Sequence, residues 1–505
     1  MGGRVFSGLI AATALVAGTE APAETLREAL LKAYKTNPTI TGQRAALRAT
    51  DENVPIARAA GIPSISANGG AVNNLTPSQN TLTSPNRQLT ANTQLTVPIY
   101  QGGAVRGAVR AAQTRVEAGR ATLRGTESDL FTQVVGAYMD VIRDQAIVAL
   151  NRQNVHVLDV NLQASKDRFQ VGDLTRTDVA QSEARLALSR AQLQSAEAQL
   201  ITSREDYIRV VGSPPVALEA PPALPPLPTS PDIAVNQALQ DNPSLLAANK
   251  QRDATRYDVS AARANRLPHL SVVVGGNYYN YLGSLGSGTG VQVGQTGNSI
   301  TAGLALTVPI FEGGRVGAQV RQAEAQRSQS IEAATAAERA VVAQARSAYA
   351  VWRSSQGVIQ SSETAVSADK LSLEGVRAEN SVGNRTILDI LNAEQELLNS
   401  QVTLVTARHD SYVAGFALLA AMGRAQAKDL GLDGGPLYDP VANYDRVRRR
   451  LNDFSDDGEP GAVATSTVQT PVQDAAVPSM QDPMLQQNVD MAPHLTTGAN
   501  APSRK

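Results

Sequence analysis

The 505 residues carry a formal net charge of −1, with 42% hydrophobic, 4% aromatic and 18% charged residues and no cysteine. Near-neutrality removes the electrostatic case for binding nucleic acid or an anionic membrane surface. The missing cysteines exclude disulfides, thiolate metal sites and a lipid-modified cysteine after export.

Residues 1–23 combine Arg4, an apolar run from Phe6 to Ala17 and the small-x-small stretch Ala21-Pro22-Ala23, and read as a secretory signal with the mature chain starting near Glu24. From there the chain says the same thing twice. Leu95-Thr-Val-Pro-Ile-Tyr-Gln-Gly-Gly103 returns as Leu306-Thr-Val-Pro-Ile-Phe-Glu-Gly-Gly314, an offset of 211, and Val171-Gly172 and Val211-Gly212 return at the same offset as Val382-Gly383 and Met422-Gly423. Upstream the offset is 205, pairing Asn37-Pro38 with Asn242-Pro243 and Pro63 with Pro268, so a six-residue difference falls between Pro63 and Leu95. Two equivalent units follow, 24–212 and 232–423, joined by a Pro-rich crossover at 213–231.

Within each unit the pattern predicts a helix broken at Asn-Pro, two strands, a very long helix and a shorter one. Leu26 to Gly61 is helical and ends before Pro63. The period then changes to two: Leu89, Ala91, Thr93, Leu95, Val97 and Ile99 share one face, as do Ile300, Ala302, Leu304, Leu306, Val308 and Ile310 in the copy. Partner strands precede at 65–72 and 270–279, with loops at 74–86 and 282–298. Such strands, apolar on one face, suit a transmembrane barrel, and four per chain cannot close one. Several copies must therefore assemble.

The proline-free run from Gly103 to Val171 would be roughly 100 Å long as one helix. Beyond it, Val179, Leu186, Leu193 and Leu200, and in the copy Ile390, Leu397 and Leu404, stand seven apart, the spacing of a coiled-coil seam. Ala184, Ala187, Ala191 and Ala198 are expected around that seam, letting helices approach closely. Laid end to end, the two shorter helices match the long one, with their junction at mid-height. An equatorial segment is expected at 424–457, and the Pro/Ser/Thr/Gln-rich residues 458–505 are expected to form a disordered tail.

Catalytic motifs are missing, no cofactor is implied, and an enzyme is disfavoured. His156, His269, His409 and His494 lack metal-ligand spacing. Gly283-Ser-Leu-Gly-Ser-Gly-Thr-Gly290 lacks the lysine and helix of a phosphate loop and reads as a flexible external loop. A secreted structural or adhesive coiled-coil surface protein would share the signal and the long helices, but needs no paired amphipathic strands.

Phe169-Gln-Val-Gly-Asp-Leu-Thr-Arg-Thr-Asp-Val179 and Ser381-Val-Gly-Asn-Arg-Thr-Ile-Leu-Asp-Ile-Leu-Asn-Ala393, with the two Leu-Thr-Val-Pro-Ile strands, resemble the TolC family of outer-membrane export channels over about Thr25 to Gly423. The resemblance implies a mixed membrane protein in which a long α-helical coiled-coil barrel continues a trimeric transmembrane β-barrel with four strands per protomer. It implies location in the bacterial outer membrane, reaching into the periplasm, in a tripartite efflux or type I secretion system. A periplasmic membrane-fusion adaptor would dock at Val171, Gly172, Asp173, Val382, Gly383 and Asn384. An inner-membrane transporter, ABC or proton-driven, would lie below. Carried over by position, Asp389 forms an acidic constriction, and Arg385 latches the mouth by bonding Thr177 and Asp178 of a neighbouring hairpin. Asn392 replaces a second acidic ring residue and Asn380 an aromatic latch, implying a less acidic, looser gate.

Overall fold

The computed structural model describes residues 23–76, 80, 82–432, 437–478 and 482–486, so the signal sequence and His494 lie outside the described residues. Each unit begins with a helix pair broken at Asn-Pro: α1 (Leu26–Thr36) with α2 (Pro38–Ala59), and α5 (Pro231–Asp241) with α6 (Pro243–Ala264). Thr25 and Glu28 close a capping box on α1. Asn37 and Asn242 cap the helices that follow, each with proline at the first helical position, where the missing N–H costs nothing.

The strands β1 (Ser64–Asn73), β2 (Arg87–Gln101), β3 (His269–Asn280) and β4 (Thr296–Thr307) form one antiparallel sheet in sequence order. Register puts Ile65 opposite Leu95, Leu95 opposite Val274, and Val274 opposite Ala302. Because side chains alternate, one face carries Ile65, Ala67, Leu89, Leu95, Val97, Val272, Val274, Ile300, Leu304 and Leu306. The other carries Ser66, Asn68, Thr90, Asn92, Gln94, Asn277 and Ser299. Leu304 and Ile300 stand 74% and 85% exposed, far from the disposition of core residues.

Three details depart from the sequence reading. A bulge between Pro98 and Tyr100 takes Ile99 out of the ladder and sets Tyr100 opposite Leu270. β4 stops at Thr307, so Val308 and Ile310 lie past its end. The β3–β4 ladder has twelve pairs against ten for β1–β2, so most of the six extra residues lengthen the second hairpin rather than its loop. That loop is also partly fastened. Buried Ser284 accepts from Arg87 N and donates to Arg87 O, both at 2.8 Å.

Gly103 and Gly314, at φ 88° and 84°, turn the chain into α3 (Ala104–Gln170) and α7 (Arg315–Ser381), each 67 residues or about 100 Å. α4 (Arg176–Val211) and α8 (Ile387–Ala421) return along them. α2 and α4 flank α3 in its two halves; α6 and α8 lie between α3 and α7. The column joints repeat. Asn37 Nδ2 donates to Val210 O at 2.8 Å and Asn242 Nδ2 to Ala421 O at 2.9 Å, fastening the end of each returning helix to the next helix start. Gly423 (φ 75°) must be glycine, since a Cβ would stand 2.3 Å from Asp241 O.

Leu186, Leu200, Ile390, Leu397 and Leu404 are buried along the seams. The alanine expectation fails: Ala184, Ala187, Ala191 and Ala198 all face outward. The small residues inside the seam are Ser182, Ser189 and Ser203, three positions after Val179, Leu186 and Leu200. Ser182 Oγ meets Ser165 Oγ at 3.2 Å, Asn154 Nδ2 donates to Ser189 Oγ at 2.9 Å, and Ser203 donates to Asp144, which Arg143 neutralises. Alternating Leu and Ser layers let α3 and α4 approach while each buried hydroxyl keeps a partner.

Around mid-height a large core gathers Phe131, Tyr138, Tyr207 and Phe416. The equatorial segment packs there through α9 (Ala442–Val447), with Asn443 Nδ2 on Asp51 at 2.8 Å and Arg120 over the Tyr444 ring. No helix or strand is assigned after α9 among the described residues. Residues 474–478 and 482–486 nevertheless make contacts with the helices, Leu485 only 5% exposed. Residues 487–505 lie outside the described residues.

Candidate functional site: the hairpin turns

Each long helix stops in the same way. Gly172 and Gly383, at φ 86° and 82°, take the left-handed position. Asp173 N bonds Arg168 O and Asn384 N bonds Glu379 O, both at 2.9 Å, closing the six-to-one bond of a glycine C-cap. The chain restarts at Thr175 and Thr386 through matched capping boxes. Asp178 Oδ2 accepts from Thr175 N at 2.9 Å and from its hydroxyl at 2.6 Å; Asp389 Oδ2 accepts from Thr386 N at 2.9 Å and its hydroxyl at 2.8 Å. These threonine bonds hold both carboxyls below the usual aspartate range. Val171 and Val382 cap the tips, 75% and 70% exposed.

The structure places every residue the sequence nominated at one end of the helices and ties most of them locally. Thr177 Oγ1 lies 2.6 Å from Thr175 Oγ1. Arg385 Nε donates to Glu379 of its own hairpin at 2.7 Å and within this chain bonds neither Thr177 nor Asp178. Asn380 is buried and donates to Arg385 O at 2.7 Å, so it shapes the turn. Asn392 bridges the two hairpins, its Oδ1 accepting from Arg185 Nη2 on α4 at 2.8 Å.

Sequence reasoning missed three partners. Arg185 and Glu379 occupy ordinary helical positions. Glu394, one turn past Asp389, is 2% exposed and accepts from Asn161 on α3 at 3.0 Å and Arg377 on α7 at 3.1 Å, tying three helices just above the turns. Burial pushes its carboxyl up, with Arg377 pulling the other way. Beside it Leu158, Leu162, Leu186 and Leu391 make an apolar knot of α3, α4 and α8. The turns thus present exposed carboxylates, cations and valines on a locked frame. Among the described residues no group of His, Asp and Glu could hold a metal ion, and no helix is long and apolar enough to cross a membrane.

A family model described as outer membrane efflux protein matches residues 29–213 and 234–424. The chain is 36% identical over 445 residues to outer membrane efflux protein BepC of Brucella suis, covering 87% of this chain and 95% of BepC. It is 28% identical over 418 residues to outer membrane protein TolC of Vibrio cholerae, covering 81% and 92%. Among solved structures, the Vibrio cholerae outer membrane protein VceC superposes with a TM-score of 0.66 at 21% identity, over 79% of this chain and 96% of VceC. The Campylobacter jejuni CmeC outer membrane channel gives 0.69 at 15% identity, over 85% and 90%. The stretch matched twice is the unit that carries one glycine turn and one capping box in each copy, and the chain belongs to the outer membrane efflux protein family.

Proposed function

We propose that three copies of this outer-membrane channel close a 12-stranded barrel and, beneath it, a helical tunnel that conducts cargo passively, without catalysis. The observation that carries this reading is the sheet, with most of its apolar side chains gathered on one face and with β1 and β4 left as open edges. An edge of unpaired backbone groups in lipid is untenable, so each β4 must meet a neighbour's β1. The secreted coiled-coil surface protein has no use for such a sheet.

At the far end Asp389 carboxylates crowd the axis, and closure is maintained by Arg385 turning from Glu379 toward Thr177 and Asp178 of the next protomer. A periplasmic adaptor docks on the exposed tips, Val171-Gly-Asp173 and Val382-Gly-Asn384, and offers those groups new partners, shifting the closed and open populations. Energy comes from an inner-membrane ABC or proton-driven transporter. Relatives named for alkaline protease secretion and for cobalt-zinc-cadmium resistance support a duct whose cargo is chosen elsewhere.

The test is single-channel recording in planar bilayers. Arg385→Ala and Asp178→Ala should each raise conductance, and the pair should add little beyond one. Unchanged conductance in all three variants overturns the latch.

A further inference from the structure

The segment after Gly458 lies beyond the residues the family model matches, yet it is fastened to all four helices of the lower half. On hairpin one, Arg204 of α4, with a side chain 11% exposed, donates to Asp474 O at 2.6 Å and to Ala476 O at 2.6 Å. Arg152 of α3 donates to Ala475 O at 2.9 Å while paired with Glu197. On hairpin two, Arg408 of α8 pairs with Asp482 and Glu363. Gln401, 2% exposed, donates to Met484 O and Leu485 O at 3.2 Å each, and Lys370 of α7 donates to Pro483 O at 2.8 Å.

Leu485 is the plug. It is buried in the cluster of Leu150 from α3, Val366 and Leu373 from α7, and Leu397, Leu404 and Val405 from α8. Gln401, whose amide holds Leu485, follows the start of α8 by fourteen residues, which puts this anchorage on the order of 20 Å above the turns. Pro478, Asp482 and Leu485 line a largely apolar cavity of about 530 Å³ against Met139, Ile142, Ala146 and Tyr412.

We infer that residues 474–478 and 482–486, consecutive anchorages of one chain, strap hairpin two to hairpin one, and that opening of the turns requires the Leu485 anchorage to leave its groove. This rests on the gated-duct reading above. Separation of the turns would move α7 and α8 against α3, and residues 474–476 bond α3 and α4 while 482–485 bond α7 and α8.

The chain has no cysteine, so a clean crosslink can be introduced in the full-length protein. In Leu485→Cys with Val405→Cys, copper-phenanthroline as oxidant takes two electrons and two protons from the thiols to form the disulfide. The expected result is efficient crosslinking, low conductance while oxidised, and recovery on reduction. Leu485→Asp in the full chain should raise conductance by roughly threefold or more and speed tryptic cleavage at Arg385, while the far-ultraviolet spectrum stays unchanged. The strap is overturned if the cysteines fail to link, or if locked, reduced and Leu485→Asp proteins share one conductance and one cleavage rate. Should the unmodified protein give no channels at all, the duct reading fails separately, and crosslinking with the cleavage rate at Arg385 still decides the strap.

Discussion

α3 and α7 are copies of one element, equal in length and at the same place in their repeats, yet 26 residues of α3 are buried and only 10 of α7. The contrast is sharp at matched positions. Val135 is fully buried and its counterpart is the exposed Arg346; Met139, 6% exposed, corresponds to exposed Ala350. α3 has neighbours on both flanks, α2 and α4 on one side and α6 and α8 on the other. α7 has α6 and α8 on one side only, and shows Val351, Val358 and Leu371 on its open surface at 58%, 46% and 71% exposure. The same fold unit is thus an interior wall in one copy and an edge in the other. Scattered exposed apolar residues are ordinary; on the three-copy reading proposed above, this unpartnered surface of α7 is the one available to a neighbour.

The largest expected effect breaks the comparison at one matched pair. Val135→Arg buries an unpaired guanidinium and should cost about 3–5 kcal/mol, enough to lose folded protein on a thermal melt. Arg346→Val at the equivalent place should move the melt by no more than about 0.5 kcal/mol. Equal losses would show that α3 and α7 share one environment. Next, Asn37→Ala and Asn242→Ala should each cost about 1–3 kcal/mol by urea midpoint, since each strands a buried carbonyl and uncaps a helix. Here the two repeats should agree, because the joints are alike where the long helices are not. Leu371→Asp should leave the fold intact and lower the fraction of detergent-stable trimer in native mass spectrometry; an unchanged trimer fraction would mean the open face of α7 meets nothing.

The smallest effect concerns His409, whose counterpart in the first repeat is the exposed Ala198. Burial disfavours its charge, yet Asp140 of α3 at 3.0 Å and Asp410 at 2.8 Å outweigh that and Arg143, and the imidazole is held above its ordinary value. A raised folded-state value means the stabilisation is complete below the unfolded value of about 6.5. It is lost as pH rises through the folded one. Stability should fall on passing from mildly acidic to mildly alkaline buffer, and His409→Gln should flatten that slope.

What the sequence made legible was whatever depends on near neighbours. The Asn-Pro breaks, the glycine turns, the sevenfold leucines and the alternating strands each state a local rule, and repetition doubled the signal. The nominated turn residues fall together at one end for the same reason. What it hid depends on partners distant in the chain. Ser182 and Ser189 look like any exposed serine until Ser165 and Asn154 face them across the seam. Glu394 reads as a solvated helix charge until Asn161, 233 residues away, binds it. Residues 474–478 and 482–486 are fastened mostly through their backbone carbonyls, and carbonyls leave no trace in side-chain pattern. Nor does the equal length of the two long helices announce that one would be central and the other peripheral.

The Asn-Pro joints have a mechanical corollary. α3 and α7 run unbroken from sheet to turn, whereas the stacked columns beside them meet at Asn37 against Val210 and Asn242 against Ala421. A load at the base would be carried upward by two unbroken rods, while each stacked column divides at mid-height, where an asparagine amide crosses the joint inside the shared core. On the gated-duct reading proposed above, any unwinding of the lower half would therefore hinge at that level and leave the sheet undisturbed.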